Sequence, residues 1–316
     1  MTTSTSTHAA GSSRGAVTAD QRPSAIALSG LRKRFGKVTA VDGIDLDVRQ
    51  GEIVAFLGPN GAGKTSTIDI ILGLSEPTAG VARVFGLEPA EAIAHGLVSA
   101  VMQTGGLLKN ISVRETVEFT ARLFPGHRDI ADVIARAGLE QIANRRVGQC
   151  SGGEQQRLRF AMALVSDPEL ILLDEPTTGM DVTTRREFWD TIRADAQAGR
   201  TVIFATHYLE EADAYADRVV LIAKGRVVAD GTPAQIRATG TGRTVRATWP
   251  GVTQSEVAGI PGVQSADLRG DTLYLHCADS DSVARHLLAQ TTAHDLEITA
   301  RGLEEAFVAL TASDAQ

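Results

Sequence analysis

The sequence is poor in cysteine and in aromatic residues. Only two of its 316 residues are cysteines, Cys150 and Cys277, and aromatic residues make up 4%. Two thiols so far apart do not form a disulfide framework, and they fit a reducing compartment. Hydrophobic residues reach 43%, so we expect the chain to fold around an ordinary apolar core.

Long apolar runs and an excess of basic charge are also absent. The longest apolar segments, such as Ile53–Leu57 and Val219–Ala223, are much shorter than the roughly 18–20 residues that cross a bilayer. The beginning of the chain lacks the apolar centre of a secretory signal. Lysine and arginine total 31 against 38 aspartate and glutamate residues, and the net charge of −7 weighs against nucleic-acid binding. We therefore expect a protein that cannot itself form a pore.

Composition and periodicity divide the chain into three parts. Residues 1–23 are rich in Ser, Thr, Gly and Ala, which predicts a disordered tail. Residues 24–240 alternate strands with helices, which predicts an α/β domain with a mostly parallel sheet. Residues 241–316 follow a β-α-β-β-α-β order, which predicts a small α+β domain of the ferredoxin-like kind.

A phosphate-binding loop follows the first fully apolar strand. Gly58–Thr65 reads GPNGAGKT, fits G-x-x-x-x-G-K-[ST], and lies between the apolar run Ile53–Leu57 and a helical pattern. Glycines let successive backbone N–H groups curve around a phosphate, and the following helix N-terminus adds its positive end. In such a loop Lys64 reaches the β- and γ-phosphates and the Thr65 hydroxyl binds Mg²⁺. The nucleotide-contacting residues predicted here are Gly58, Pro59, Asn60, Gly61, Ala62, Gly63, Lys64, Thr65 and Ser66.

Two adjacent carboxylates end another apolar strand. Leu170–Leu173 is followed directly by Asp174 and Glu175. A buried parallel strand delivers the residue at its carboxyl end to the ligand side of an open α/β sheet. Asp174 is therefore predicted to lie beside Mg²⁺, and Glu175 to orient and polarise a water at the γ-phosphate. These two motifs together still fit kinases, helicases, AAA-type motors and transport ATPases.

A third motif narrows that choice. Ser151–Arg157 reads SGGEQQR and resembles the signature of the ATP-binding cassette (ABC) family, LSGGQ or LSGGE. In that family the signature covers the ATP held by a second copy across a head-to-tail dimer. Cys150 stands where the family usually has leucine, and little is lost because cysteine packs as a small hydrophobe. The residues implied in this contact are Ser151, Gly152, Gly153 and Glu154.

Other landmarks of the ABC family follow in its order, and the resemblance implies their roles. Gln103 matches the glutamine that senses the γ-phosphate and Mg²⁺, and Asp181 lies in a run that resembles the D-loop. His207 resembles the switch histidine that contacts the γ-phosphate, and Phe35 stands where an aromatic ring stacks on adenine. The resemblance thus assigns hydrolysis to Lys64, Gln103, Glu175 and His207, and the metal to Thr65, Gln103 and Asp174.

The resemblance also implies a fold and an activity. Residues 24–240 are expected to form a P-loop NTPase domain of the ABC type, with a helical signature subdomain at about residues 104–165. The implied protein hydrolyses ATP with Mg²⁺, forms a homodimer, binds integral-membrane permease subunits at the cytoplasmic face of the cell membrane, and does not bind nucleic acid. Gly302–Thr311 resembles the ending of ATPases that drive ABC-2 exporters, above all the daunorubicin/doxorubicin-resistance group. We therefore expect export of a drug, a lipid-like molecule or another hydrophobic compound.

Three other functions remain open at this stage. One is an importer ATPase whose C-terminal domain is regulatory. Another is a non-transport ABC ATPase that acts on ribosomes or DNA, although such proteins usually carry two cassettes or long coiled coils and this chain has a single P-loop. A P-loop kinase or another small-molecule enzyme is the third, and it would leave the SGGE run and His207 without a role.

Overall fold

The structure of the protein, a computed structural model, describes residues 22–102, 106–239 and 242–300 together with Leu303 and Phe307. Gln103, most of the predicted tail and most of the run Gly302–Thr311 lie outside the described residues. The strands are β1 (Ser24–Phe35), β2 (Val38–Arg49), β3 (Ile53–Leu57), β4 (Ala79–Val84), β5 (Val98–Val101), β6 (Leu170–Asp174), β7 (Thr201–Ala205), β8 (Arg218–Ala223), β9 (Arg226–Gly231), β10 (Arg243–Thr248), β11 (Val263–Arg269), β12 (Thr272–Cys277) and β13 (His294–Ala300). The helices are α1 (Lys64–Ile71), α2 (Pro89–Ala94), α3 (Val113–Ala121), α4 (Ile130–Arg136), α5 (Gly152–Leu164), α6 (Val182–Gln197), α7 (Leu209–Tyr215), α8 (Pro233–Thr239), α9 (Gln254–Ala258) and α10 (Ser280–Gln290).

A six-stranded sheet in the order β5-β6-β7-β3-β8-β9 forms the centre of the first unit. All its pairings are parallel except the one between β8 and the edge strand β9. Every residue of β3 and β7 is buried, as expected for parallel strands that are covered on both faces. The predicted mostly parallel α/β fold is confirmed. Because β6, β7 and β3 are neighbours, the loops at their carboxyl ends meet at one edge of the sheet.

A second, antiparallel sheet in the order β2-β1-β4 packs beside the central one. The sequence analysis did not identify β1 or β4. In β1 the pairing with β2 shifts register between Leu28 and Leu31, around Gly30 with its φ of +54°. Such irregularities break the strict alternation from which strands are recognised. Arg22 and Pro23, which the sequence placed in the tail, are hydrogen-bonded to the end of β2: the Arg22 guanidinium donates to the carbonyl oxygen of Gln50, the Arg49 guanidinium donates to the carbonyl oxygen of Arg22, and the N–H of Gln50 donates to that of Pro23.

The segment between β5 and β6 is helical, as predicted. It contains α3, α4 and α5, whose inner faces join the main core through residues such as Val117, Val133 and Leu158. Two of these helices begin with reciprocal capping boxes, Ser112 with Glu115 and Ser151 with Glu154. The residue types at their first turns therefore define where α3 and α5 start.

The C-terminal strands form a separate four-stranded antiparallel sheet in the order β11-β12-β10-β13. Its elements follow the β-α-β-β-α-β order that the sequence predicts, and they enclose a core of their own around Val245, Leu275 and Leu287. Leu303, in contrast, is buried in the core of the first unit. Across the described residues, no helix is long and apolar enough to cross a membrane.

Candidate active site

The loop Gly58–Thr65 connects β3 to α1 and is held tightly by its neighbours. Gly61 and Gly63 have φ angles of +78° and +104°, a conformation that residues with a side chain rarely adopt. A Cβ atom at Gly63 would lie 2.2 Å from the carbonyl oxygen of Ala40, and one at Gly58 would lie 2.1 Å from that of Ile222. Only glycine fits at these two positions. No side chain caps the N-terminus of α1, so its first N–H groups remain for an anion.

The side-chain amine of Lys64 hydrogen-bonds with the beginning of the phosphate loop. Its Nζ atom donates hydrogen bonds to the carbonyl oxygens of Gly58 at 2.6 Å and Pro59 at 3.1 Å. Burial lowers the pKa of Lys64, while the nearby carboxylates of Glu175 and Asp174 act in the opposite direction. The Lys64 amine thus lies on the phosphate loop, within electrostatic range of the two carboxylates.

Asp174 and Glu175 follow one another at the end of β6. Burial raises the pKa of Asp174, and the adjacent Glu175 carboxylate adds to this effect. Glu175 has a φ of +50°, unusual for a residue with a side chain, and its backbone N–H donates to the carbonyl oxygen of Ala205 at 2.9 Å. This contact ties the end of β6 to the end of β7.

His207 reaches Glu175 from the turn that follows β7. The distance from its Nδ1 atom to Oε1 of Glu175 is 2.8 Å, although 63% of the histidine side chain is exposed. The other carboxylate oxygen of Glu175 is buried and has no hydrogen-bond partner among the described residues. An unpaired buried oxygen needs a donor or a cation nearby, so this corner of the site can take a further polar group.

The donor set fits a nucleotide with Mg²⁺. Two adjacent carboxylates, partly removed from water, are hard oxygen ligands of the kind that Mg²⁺ takes, and Thr65 presents its hydroxyl at the first turn of α1. Thr65 and Asp174 would hold the metal, whose charge would offset that of the phosphates. Gln103, the third predicted metal ligand, lies outside the described residues.

The signature residues form a different cluster. Ser151 accepts a hydrogen bond from the N–H of Glu154 at 3.2 Å, and the Glu154 carboxylate accepts one from the N–H of Ser151 at 2.7 Å. Arg145 pairs with the same carboxylate at 2.9 Å. A Cβ at Gly153 would lie 3.4 Å from Met180, next to Asp181, which caps α6 through the N–H of Thr184 at 2.9 Å. Among the described residues, no hydrogen bond or ion pair joins the signature to the phosphate loop.

The predicted adenine-stacking residue lies at the end of β1. Phe35 is 54% exposed, and the Nζ atom of Lys33 lies 5.0 Å from the centre of its ring. Residues on the adjoining strand β2 approach the phosphate loop, as the contact between Ala40 and Gly63 shows. An exposed ring at this place can stack on a base without any cost to the core.

A cavity of about 270 Å³ adjoins the phosphate loop. Its walls include Phe307, which belongs to the Gly302–Thr311 run that resembles the ending of ABC-2 exporter ATPases. The lining residues are Leu57, Gly58, Pro59, Asn60, Thr206, His207, Leu209 and Phe307. The C-terminal segment therefore reaches the edge of the candidate site.

Comparisons with known proteins decide the family. Residues 41–178 match the family described as ABC transporter. The chain is 37% identical over 296 residues to the Nod factor export ATP-binding protein I of Rhizobium sp. (strain N33), a match that covers 91% of this chain and 97% of that protein. The chain belongs to the ABC transporter family. The protein of the same name from Paraburkholderia xenovorans (strain LB400) is 34% identical and covers 92% and 98% of the two chains.

Solved structures agree with this assignment. CbiO1 from Clostridium perfringens, part of the ABC transporter complex cbiONQ, matches with a TM-score of 0.62 and 25% identity over 68% of this chain and 91% of that one. A dimeric post-hydrolysis state of the ATP-binding cassette MJ0796, bound to ADP and Pi, matches with a TM-score of 0.59 and 26% identity, covering 66% and 98%. The present ABC protein is thus an ATPase with ATP and Mg²⁺ as cofactors. ABC ATPases dimerise and work with membrane permease subunits, so this one is membrane-associated.

Sequence reasoning missed one group of residues behind the site. Glu211 is buried in the first turn of α7 and contacts Thr177 and Thr206, which flank Glu175 and His207 along the chain. The available signal was a glutamate four residues after the histidine, in a helix turn where acidic residues are common for electrostatic reasons. Its burial could not be read from that pattern.

Proposed function

We propose that this ABC ATPase energises export of a hydrophobic compound through separate membrane subunits. The observation that carries the chemistry is the Glu175–His207 pair, which lies beside the phosphate loop and the Lys64 amine. Export is supported by the relatives, which are named Nod factor export ATP-binding proteins. Their names also weigh against import. The resemblance of Gly302–Thr311 to the ending of the daunorubicin/doxorubicin-resistance group, and with it an ABC-2 permease and a drug or lipid-like substrate, forms part of the proposal.

In the proposed hydrolysis each residue has one task. Lys64 and the N–H groups of the phosphate loop bind the β- and γ-phosphates, and Phe35 stacks on the adenine. Glu175 orients a water and accepts its proton, using the carboxylate oxygen that has no partner in the described structure. His207 contacts the γ-phosphate from the turn that follows β7. Mg²⁺, when bound at Thr65 and Asp174, supplies positive charge that stabilises the phosphate oxygens.

The site of one chain is incomplete without the signature of another. Ser151, Gly152, Gly153 and Glu154 contact Arg145 and the segment around Met180 instead of the phosphate loop. We therefore propose a head-to-tail homodimer in which each signature covers the nucleotide on the other chain. The dimeric structure of MJ0796 supports dimerisation itself.

The helical segment offers a surface for the permease. Leu108, Phe119 and Leu123 are each more than half exposed, and Phe119 and Leu123 are four residues apart at the end of α3. Large apolar side chains that lie exposed close to one another, as Phe119 and Leu123 do along the chain, mark interaction surfaces. We propose that this surface faces the integral-membrane partner at the cytoplasmic side of the cell membrane.

The predicted domain limits belong to the same proposal. We assign residues 1–23 to a tail, 24–240 to the ATP-binding domain and 241–316 to an accessory domain. The four-stranded C-terminal sheet has a core separate from that of the preceding unit, which supports a boundary between α8 and β10.

Affinity capture of the tagged chain from crosslinked membranes tests the exporter assignment. We expect a multi-spanning membrane protein without its own nucleotide-binding domain, identified by mass spectrometry. A secreted solute-binding protein in the complex would instead indicate import. Ribosomal proteins or DNA in place of any membrane protein would contradict a transport function altogether.

A further inference from the structure

Glu211 is a buried carboxylate one helical turn after the switch histidine. It is 3% exposed, and its side chain does not cap α7, whose N-terminus receives no side-chain hydrogen bond. Its Oε1 atom accepts a hydrogen bond from the hydroxyl of Thr177, and its Oε2 atom lies 3.5 Å from the hydroxyl of Thr206. The Nε atom of Arg185 lies 3.4 Å from Oε1. The carboxylate therefore connects two loops and the helix α6.

The two loops are those that carry the reacting pair. Thr177 follows Glu175 by two residues, and its carbonyl oxygen accepts a hydrogen bond from the N–H of Met180 at 3.0 Å. Thr206 directly precedes His207, and its hydroxyl accepts a hydrogen bond from the N–H of Tyr208 at 3.0 Å. Glu211 thus contacts both loops: it contacts Thr177 in the loop that carries Glu175, and Thr206 in the turn that carries His207.

The stability of the fold does not by itself explain a buried carboxylate at position 211. Burial raises the pKa of Glu211, although Thr177 and Arg185 favour its charged form. A buried ion pair contributes little or nothing compared with apolar residues that fill the same volume. What a carboxylate supplies, and an apolar side chain does not, is two oxygens that accept hydrogen bonds from two different loops.

We propose that Glu211 is a positioning residue for ATP hydrolysis. Through Thr177 and Thr206 it fixes the loop after β6 relative to the turn after β7, so that His207 stays within hydrogen-bond distance of Glu175. This inference rests on the roles proposed above for Glu175 and His207.

Steady-state ATP turnover of Glu211→Gln tests the proposal. Glutamine has nearly the same shape, but its amide nitrogen cannot accept the second hydroxyl hydrogen bond, and the charge beside Arg185 is lost. We expect kcat to fall at least about tenfold, because small displacements of reacting groups are costly, while KM for ATP changes less than about threefold. Glu210→Gln, an adjacent and exposed glutamate, is the matched control and should keep wild-type kcat.

Two further variants separate positioning from simple destabilisation. Thr206→Val and Thr177→Val each remove one hydroxyl from Glu211 with little change in volume, and each should lower kcat at an assay temperature well below the unfolding midpoint. Combining Thr206→Val with Glu211→Gln should lower kcat no further than the worse single variant, since both changes break the same contact. If Glu211→Gln does not fold, the kcat values of the two threonine variants test the proposal without it.

Other results would overturn the proposal. They are a kcat within twofold of wild type for Glu211→Gln or for both threonine variants, a loss confined to KM, or additive losses in the double variant. Wild type and Glu175→Gln are measured in the same assay. Absence of turnover in the wild type, or normal turnover in Glu175→Gln, would contradict the proposed catalytic roles, whereas loss in Glu175→Gln with normal Glu211→Gln would contradict only this inference.

Discussion

Nδ1 of His207 lies 2.8 Å from Oε1 of Glu175, so the two residues proposed for catalysis are paired within one chain. They end neighbouring strands, and β6 and β7 pair Asp174 with Ala205 just before them. The histidine occupies one carboxylate oxygen of Glu175 and leaves the other unpaired among the described residues. One oxygen of Glu175 is thus held by His207, and the other remains for a further polar partner.

Glu175→Gln should separate nucleotide binding from hydrolysis. The amide keeps the shape of the side chain but cannot accept a proton, so turnover should fall at least about 100-fold, as for the loss of a general base. ATP binding should remain, and ATP-bound dimer should accumulate in size-exclusion chromatography with light scattering. Turnover within twofold of wild type would remove Glu175 from its proposed role.

Mixed dimers should show that each site is shared between two chains. Lys64→Ala disables the phosphate loop and Ser151→Arg disables the signature, so neither homodimer should hydrolyse ATP. In a heterodimer one site combines an intact loop with an intact signature. An equal mixture should recover about a quarter of wild-type turnover, because half of the dimers carry one intact site of two. Absence of recovery, despite heterodimer formation shown by differently tagged chains, would contradict the head-to-tail arrangement.

Gly63→Ala should abolish ATP binding. The new Cβ would lie 2.2 Å from the Ala40 carbonyl oxygen, so either the loop or β2 must move. Gly86→Ala is the matched control, since its φ of +80° is similarly unfavourable while no atom lies within 4 Å. The control should lose only about 1–2 kcal/mol of unfolding free energy and keep its ATP affinity. Equal ATP affinity in the two variants, measured with a fluorescent ATP analogue, would show that loop shape is unimportant.

Glu154→Gln should change the pH dependence of stability. Burial tends to raise the pKa of Glu154, but the N–H of Ser151 and the Arg145 guanidinium outweigh it and hold the pKa below its ordinary 4.5. A lowered pKa stabilises the fold above pH 4.5, and this stabilisation is lost as the pH falls through the value in the folded state.

The variant should therefore unfold more easily than wild type in urea at pH 7, and the difference should vanish at acidic pH. The start of α5 should be kept, because glutamine also completes a capping box. A stability difference independent of pH would contradict the ionic contribution of Arg145. Glu154→Ala, which also removes the cap, should cost about 1 kcal/mol more at every pH.

The central sheet and the phosphate loop could be predicted because they depend on local patterns. Ile53–Leu57 is apolar throughout, since both faces of β3 are covered, and the glycines that follow are required by the close approach of Ala40 and Ile222. Asp174 could be placed because a buried strand ends there. In each case the residues that form the local sequence pattern are the same residues that the packing requires.

The features that could not be predicted from the sequence depend on contacts between segments that are far apart in the chain. The register shifts around Gly30 concealed β1, and nothing in the local pattern of Leu209–Tyr215 distinguishes the buried Glu211 from the exposed Glu210. Burial of Glu211 arises from its contact with Thr177, 34 positions earlier in the chain. The same holds for Phe307, whose place beside the phosphate loop follows only from the tertiary structure.

Leu303 is 4% exposed and belongs to the core of the first unit, although four strands with a core of their own precede it. The four-stranded accessory sheet is thus connected to the first unit both before β10 and after β13, as an inserted domain would be. A chain cut after residue 300 would leave a vacant apolar recess on the ATP-binding domain. Swinging of the accessory sheet on a single hinge would require Leu303 to leave that core, so the second attachment restricts the sheet to small displacements.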